Sequence, residues 1–201
     1  MDILGYIVDS IRLSAGTRRH VDSWLRAALP FLLVLSGAYS VNAETLTESK
    51  VKSAFLYNFA KFVKWPPNSL ADPTAPFTFC TIGDNPLQGT LDEVLQGKTL
   101  DDHPLLSRHL GHASDAKGCQ VLFVSESASS GSKNSLTSLR LPGLLVVGEF
   151  SNKRDVSKEG AMITFVLESN RVRFVIDTKA AGQAGLTISS RLLSLALAVE
   201  K

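Results

Sequence analysis

Cys80 and Cys119 form the clearest chemical constellation in this 201-residue chain. Each falls in, or at the mouth of, a segment that reads as a core strand, FTFCTI and CQVLFV. Adjacent parallel strands would bring the two side chains together. A bridge closing a loop of about 40 residues would add roughly 4 kcal/mol in the chain-entropy account. The other reading is two buried free thiols. The spacing excludes a C-x-x-C redox pair, and two cysteines are too few for an all-cysteine zinc site.

Other groups that could do chemistry are sparse. Gly97-Lys98-Thr99 looks like the end of a phosphate loop, but that loop needs glycine where Asp92 stands, and it should follow a strand rather than a helix. Neither G-x-S-x-G nor G-x-G-x-x-G occurs. His103, His109 and His112 share a loop-rich stretch that reads as solvated loop rather than a convergent metal site. Asp84, Ser125 and Glu126 could serve a hydrolase with a non-local site, but no base is positioned beside them. No catalytic residue, metal or cofactor is expected.

Contact chemistry is better represented. Lys52 lies inside an otherwise apolar helical arc; its ammonium either snorkels to water or faces a partner or ligand. Asn58 sits at the edge of that arc, and Lys61 lies on the opposite face. Trp65 precedes Pro66-Pro67, as a lid over the helix end or as an exposed binding anchor. Arg171 and Arg173 share one face of a strand, either solvated or in contact with an anion or partner. Arg191 is the only charge between Thr187 and Glu200, at the surface or in a local pair.

These residues need elements to hold them. Residues 47–64 read as a core-packed helix, capped by Thr47 and stopped by the prolines. Val51, Phe55, Leu56, Phe59, Phe62 and Val63 fill its apolar arc, with Lys50, Ser53, Tyr57, Lys61 and Lys64 opposite. After Pro76 strands alternate with helices: strands over 77–82, 104–110, 119–124 and 143–148, and helices over 85–96, with Asp84 or Asn85 as cap, and 132–140. Residues 162–168 and 171–177 make a hairpin around Ser169-Asn170. A short helix over 178–184 ends at Gly185, and Ser189 caps a last helix with Leu192, Leu193, Ala196, Leu197 and Val199 apolar. Near-continuous apolar strands imply a sheet covered on both faces. The expectation is an α/β single domain: a three-layer sandwich with a mixed, largely parallel sheet and a C-terminal β-hairpin plus helix.

The N-terminus reads differently. Arg12, Arg18, Arg19 and Arg26 precede fifteen uncharged residues, Ala27–Val41, and Val41-Asn42-Ala43 suits a signal peptidase. Fifteen residues reach about 22 Å as a helix, short of a bilayer core of about 30 Å. Residues 1–43 are expected to be a removed signal peptide and 44–201 the mature domain, exported to an oxidising compartment without stable membrane insertion. The whole chain has 21 Lys+Arg against 19 Asp+Glu; from residue 44 onward the counts are 17 and 16. That balance offers no electrostatic case for nucleic acid.

The stretch Val51-Lys52-Ser53-Ala54-Phe55-Leu56-Tyr57-Asn58-Phe59-Ala60-Lys61-Phe62-Val63-Lys64-Trp65-Pro66 resembles the opening signature of the YfiR family. A second signature runs from Gly160 through Arg171-Val172-Arg173-Phe174 to Ala184-Gly185-Leu186-Thr187-Ile188-Ser189-Ser190-Arg191-Leu192-Leu193. The resemblance implies a periplasmic regulator that binds the periplasmic portion of an inner-membrane diguanylate cyclase, a GGDEF protein, and holds it inactive. It further implies control of cyclic di-GMP and biofilm, sequestration by an outer-membrane lipoprotein, and a homodimer. Cys80 and Cys119 fit one family disulfide; a second pair, expected near residues 154–161, is missing. The competing expectation is a small-ligand-binding module acting on another membrane partner, with its pocket at the strand ends near residues 84–86 or 125–127.

Overall fold

Alternation along the apolar strands divides the interior into two cores. Val121, Phe123, Leu145 and Val147 enter one cluster, while Leu122, Val124 and Val146 between them enter another. A strand buried on both sides in this way must lie inside a layered sheet. The computed structural model describes residues 41–70, 72, 74–84, 87–128, 141–149 and 160–201. The chain divides into two compact units, Met1–Glu44 and Thr45–Lys201, and the account below concerns the second.

Its elements are α1 (Val41–Phe62), β1 (Val63–Lys64), β2 (Phe77–Ile82), α2 (Gln88–Leu95), β3 (Thr99–Leu100), β4 (His103–Leu110), β5 (Val121–Val124), β6 (Leu145–Glu149), β7 (Ile163–Glu168), β8 (Arg171–Asp177), α3 (Thr178–Gln183), β9 (Thr187–Ile188), α4 (Ser190–Leu193) and β10 (Ala198–Glu200). The main sheet runs β10-β8-β7-β6-β5-β2-β4-β3. Neighbours from β4 to β7 are parallel; β3 and β8 run against their partners, and β10 is parallel to β8. This is the mixed, largely parallel α/β sheet expected from the sequence. β1 and β9 form a separate two-stranded ribbon.

The first core lies under the helices. Leu56, Phe59 and Ala60 from α1, Leu91 and Leu95 from α2, Ala181 from α3 and Leu192 from α4 pack on one sheet face. Phe59 stacks on Phe165 at 5.7 Å and meets Phe174 edge-on at 5.0 Å. The second core holds the Cys80–Cys119 disulfide, joining β2 to the approach of β5, with Ala113 and Ala116 of a 3-10 turn packed beside it.

Several local expectations need correction. α1 begins before Thr47 and ends at Phe62, because Val63 and Lys64 leave the helix to pair with Ile188 and Thr187. From Thr47 on, its buried positions are Ser49, Lys52, Ser53, Leu56, Phe59 and Ala60, which share one face at spacings of three and four. Val51 is therefore turned outward, 39% exposed, and Ser53 inward, bonded to Thr90 Oγ1 at 2.9 Å. α2 starts at Gln88, and Leu87 rather than Asp84 occupies its cap position, without a side-chain cap bond; Asn85 lies outside the described residues. Ser189 does cap α4, but that helix stops at Leu193 and residues 198–200 form an edge strand instead. The helix expected over 132–140 and the segment 1–40 lie outside the described residues.

Candidate functional site

Lys52 follows neither expectation. Only 6% exposed, it forms ion pairs with Glu48, one helical turn earlier, and Glu149, at the end of β6. The ammonium is withdrawn from water and spans a helix and a strand, so it is not displayed to a partner. The i, i+4 spacing to Glu48 was readable in the sequence; the partner from β6, 97 residues on, was not.

Trp65 is half-buried. It meets the Phe77 ring edge-on at 5.1 Å, and its indole Nε1–H donates to the Ala60 carbonyl at 3.3 Å. It closes the end of α1 where β1 pairs with β9, and it forms part of the first core's margin. Asn58 is exposed, and its amide donates to the Ala54 carbonyl of the same helix at 2.9 Å. Lys61 lies 5.4 Å from the Tyr57 ring centre, and Lys98 approaches the same ring at 4.9 Å.

At the ends of the parallel strands the described loops pack closely around Gly83, while residues 85–86 of the expected pocket lie outside the described residues. Ser125 Oγ bonds Ser127 Oγ at 2.9 Å, and Ser127 Oγ accepts the Asp84 backbone N–H at 2.9 Å. A Cβ at Gly83 would come within 2.2 Å of Ser125 Oγ. Here the chain needs both the missing side chain and a positive φ of 95°. The Ser125 and Ser127 hydroxyls thus tie the two loops together.

The histidines are dispersed rather than gathered. His103 and His109 are on β4, not in loop. His103 is buried with Nδ1 2.7 Å from the Ala75 carbonyl, while His109 Nδ1 lies 3.2 Å from Thr81 Oγ1. His112 is exposed ahead of the 3-10 turn. Among the described residues no three potential ligands converge as a metal site would require.

Arg171 and Arg173 are brought together. Both are exposed on the same face of β8, opposite Glu168 and Val166 of β7. With Glu168 and Ser169 they line a surface pocket beside the hairpin tip. Ser169 and Asn170 carry φ of 48° and 60°, the left-handed pair that a two-residue turn requires. Neither guanidinium has an ion-pair partner among the described residues. Arg191 is also exposed, on α4, away from the hairpin's register. Sequence parity alone put the two arginines on one face; Glu168 and Ser169 as fellow lining residues were missed, though the hairpin register would have found Glu168.

Asp72 is the one described group with a clear pKa displacement. Hydrogen bonds from the Thr74 hydroxyl and then its backbone N–H hold the carboxyl below its ordinary range, assisted weakly by His103. It is fully exposed and marks a tight local turn, with no other titratable group bonded to it.

A crystal structure of a conserved domain protein from Vibrio cholerae O1 biovar El Tor str. N16961 is similar at 15% identity and a TM-score of 0.45. The similarity covers 74% of this chain, which spans 60% of the length of that one. No curated protein matches. Among the described residues, no helix is long and apolar enough to cross a membrane. The family described as YfiR/HmsC-like (DUF4154) matches residues 49–197, from Ser49 in α1 to the residue before β10, and so takes in both signature stretches and the sheet between them: the chain belongs to the YfiR/HmsC-like family.

Proposed function

We propose that the chain is a periplasmic protein-binding regulator that represses an inner-membrane diguanylate cyclase by engaging the cyclase's periplasmic portion. The family is one of periplasmic regulators of cyclic di-GMP signalling, and it is regulatory rather than catalytic. The observation that carries the reading is the span of the family match, which covers nearly every described element of the domain. A single bound partner at the membrane also suits a near-neutral domain, whose affinity would come from apolar anchors with a few charges around them.

Under this reading residues 1–43 are removed after Ala43, the domain works as a homodimer, and an outer-membrane lipoprotein competes for it. No small ligand or cofactor is needed. The ligand-binding alternative would need room beside Gly83, where the Ser125 and Ser127 hydroxyls and the Ala128 methyl stand close to the glycine. Clean deletion of the gene should raise cellular cyclic di-GMP, and the tagged protein should capture a GGDEF protein from detergent-solubilised membranes. Unchanged cyclic di-GMP together with an empty capture would overturn the proposal.

A further inference from the structure

The hairpin β7–β8 has an uncovered edge. β10 pairs only with Val175–Asp177 of β8. The Leu197 N–H donates to the Phe174 carbonyl at 2.8 Å, so the backbone groups of Phe174 face the β10 side. Strand parity turns those of Val172 the same way, past the end of β10, while Arg171 and Arg173 exchange bonds with Glu168 and Val166 of β7. Val172 thus presents an N–H and a C=O with no strand beside them among the described residues. The two faces of this edge differ. One displays Arg171 and Arg173 with the pocket they line. The other displays Val172, half-buried, beside Leu167, which is 54% exposed. Leu195, 59% exposed, extends the apolar surface close to where the chain enters β10.

We propose that this edge accepts an extended segment of a protein partner in which acidic and apolar side chains alternate. An added strand would lie beside β8 ahead of the point where the chain enters β10, pair with the Val172 backbone, and place every second side chain on each face. Carboxylates on one side would meet the two guanidiniums, which can each grip an oxygen pair. Apolar side chains on the other would cover Leu167 and Val172. Charge complementarity selects an acidic segment, since a basic one would set like charges against Arg171 and Arg173. The proposal rests on the reading of the chain as a protein-binding regulator and specifies where and how it binds.

The test uses the purified protein and a fluorescein-labelled peptide of alternating Glu and Val, with a Lys/Val peptide as control. The expected result is saturable binding of the acidic peptide, none of the basic one, and slowed amide exchange at Val172. Reversal of both charges, Arg171→Glu with Arg173→Glu, should weaken binding at least tenfold without moving the thermal midpoint, because both side chains are exposed. Val172→Pro, which removes the edge donor, should also weaken it. Equal binding by wild type and charge-reversed protein overturns the proposal, as does unchanged exchange at Val172. Loss of a homodimer on charge reversal, with no peptide binding by wild type, overturns it in favour of a second copy. Capture of a membrane partner by a protein that ignores the peptide would reject this edge and leave the regulator reading standing.

Discussion

The junction around α1 and the tip of the β7–β8 hairpin both lie within the family signatures, yet they are built on opposite principles. At the junction almost every signature residue is engaged inside the chain. Val63 and Lys64 pair with Ile188 and Thr187, and the Ser189 N–H donates to the Phe62 carbonyl at 2.9 Å. Gly185, at φ 75°, comes so close to Pro66 that a Cβ would lie 3.2 Å from Cγ of that ring. Lys52, Asn58 and Trp65 are likewise committed to partners within the chain. At the hairpin tip, Arg171 and Arg173 are exposed, and among the described residues no strand pairs with the adjoining edge at Val172. The difference teaches that a dense sequence signature can mark a construction joint, and that the signature residues left exposed are the ones free to contribute little to stability.

Perturbations should separate the two regions by size and by kind. Phe59→Ala, which empties the centre of the aromatic cluster, should cost about 3–5 kcal/mol in urea unfolding; a cost below about 1 kcal/mol would deny the junction its structural role. Replacing Cys80 and Cys119 by serine should remove roughly 2–5 kcal/mol, and reduction of the wild type should reproduce it. Free thiols in the denatured, unreduced protein would contradict the bridge.

Lys52→Met should cost about 1–2 kcal/mol, because Glu48 and Glu149 retain some access to water and so escape the full penalty of a buried unpaired charge. Adding Glu149→Gln should recover part of that loss in a double-mutant cycle. Trp65→Ala should cost about 2 kcal/mol and Lys61→Ala less than about 0.5 kcal/mol. If folded Trp65→Ala also represses the cyclase less well than Lys61→Ala does, the junction shares in recognition and the contrast softens. Alanine at Arg171 or Arg173 should shift stability by no more than about 0.5 kcal/mol while impairing partner capture.

The smallest effect concerns Asp72. Its carboxyl titrates below the ordinary carboxylate range when folded, so any stabilisation is present above that range and fades as pH falls through the folded value. Thr74→Ala should move the carboxyl midpoint upward in an NMR titration, with no visible change in the thermal midpoint of so exposed a group.

Much of this architecture was legible because burial on both faces writes itself as unbroken apolar runs. FTFCTI is strand from end to end, and Ser169-Asn170 forms the expected turn. The parity of Arg171 and Arg173 likewise followed from the hairpin. β1, β9 and β10 were invisible for a common reason: strands of two or three residues owe their existence to partners far away in sequence, not to local propensity. Ser53 was misplaced because a serine satisfied by Thr90 can occupy a core position that its polarity seems to forbid. The open edge at Val172 could not be read either, since it depends on where β10 happens to end.

The β1–β9 ribbon also imposes an order in time. Val63 pairs with Ile188, about 125 residues later, and Ser189 secures Phe62. The first helix gains its closing strand only when nearly the whole domain is available, whatever the rate at which the chain is delivered. Phe165 and Phe174, the rings that Phe55 and Phe59 pack against, likewise arrive only with β7 and β8. Non-local closure of this kind slows folding and leaves a sticky helix exposed to aggregation. Removal of the last fifteen residues, which takes away β9, α4 and β10, should therefore be far more damaging than their small share of the core suggests.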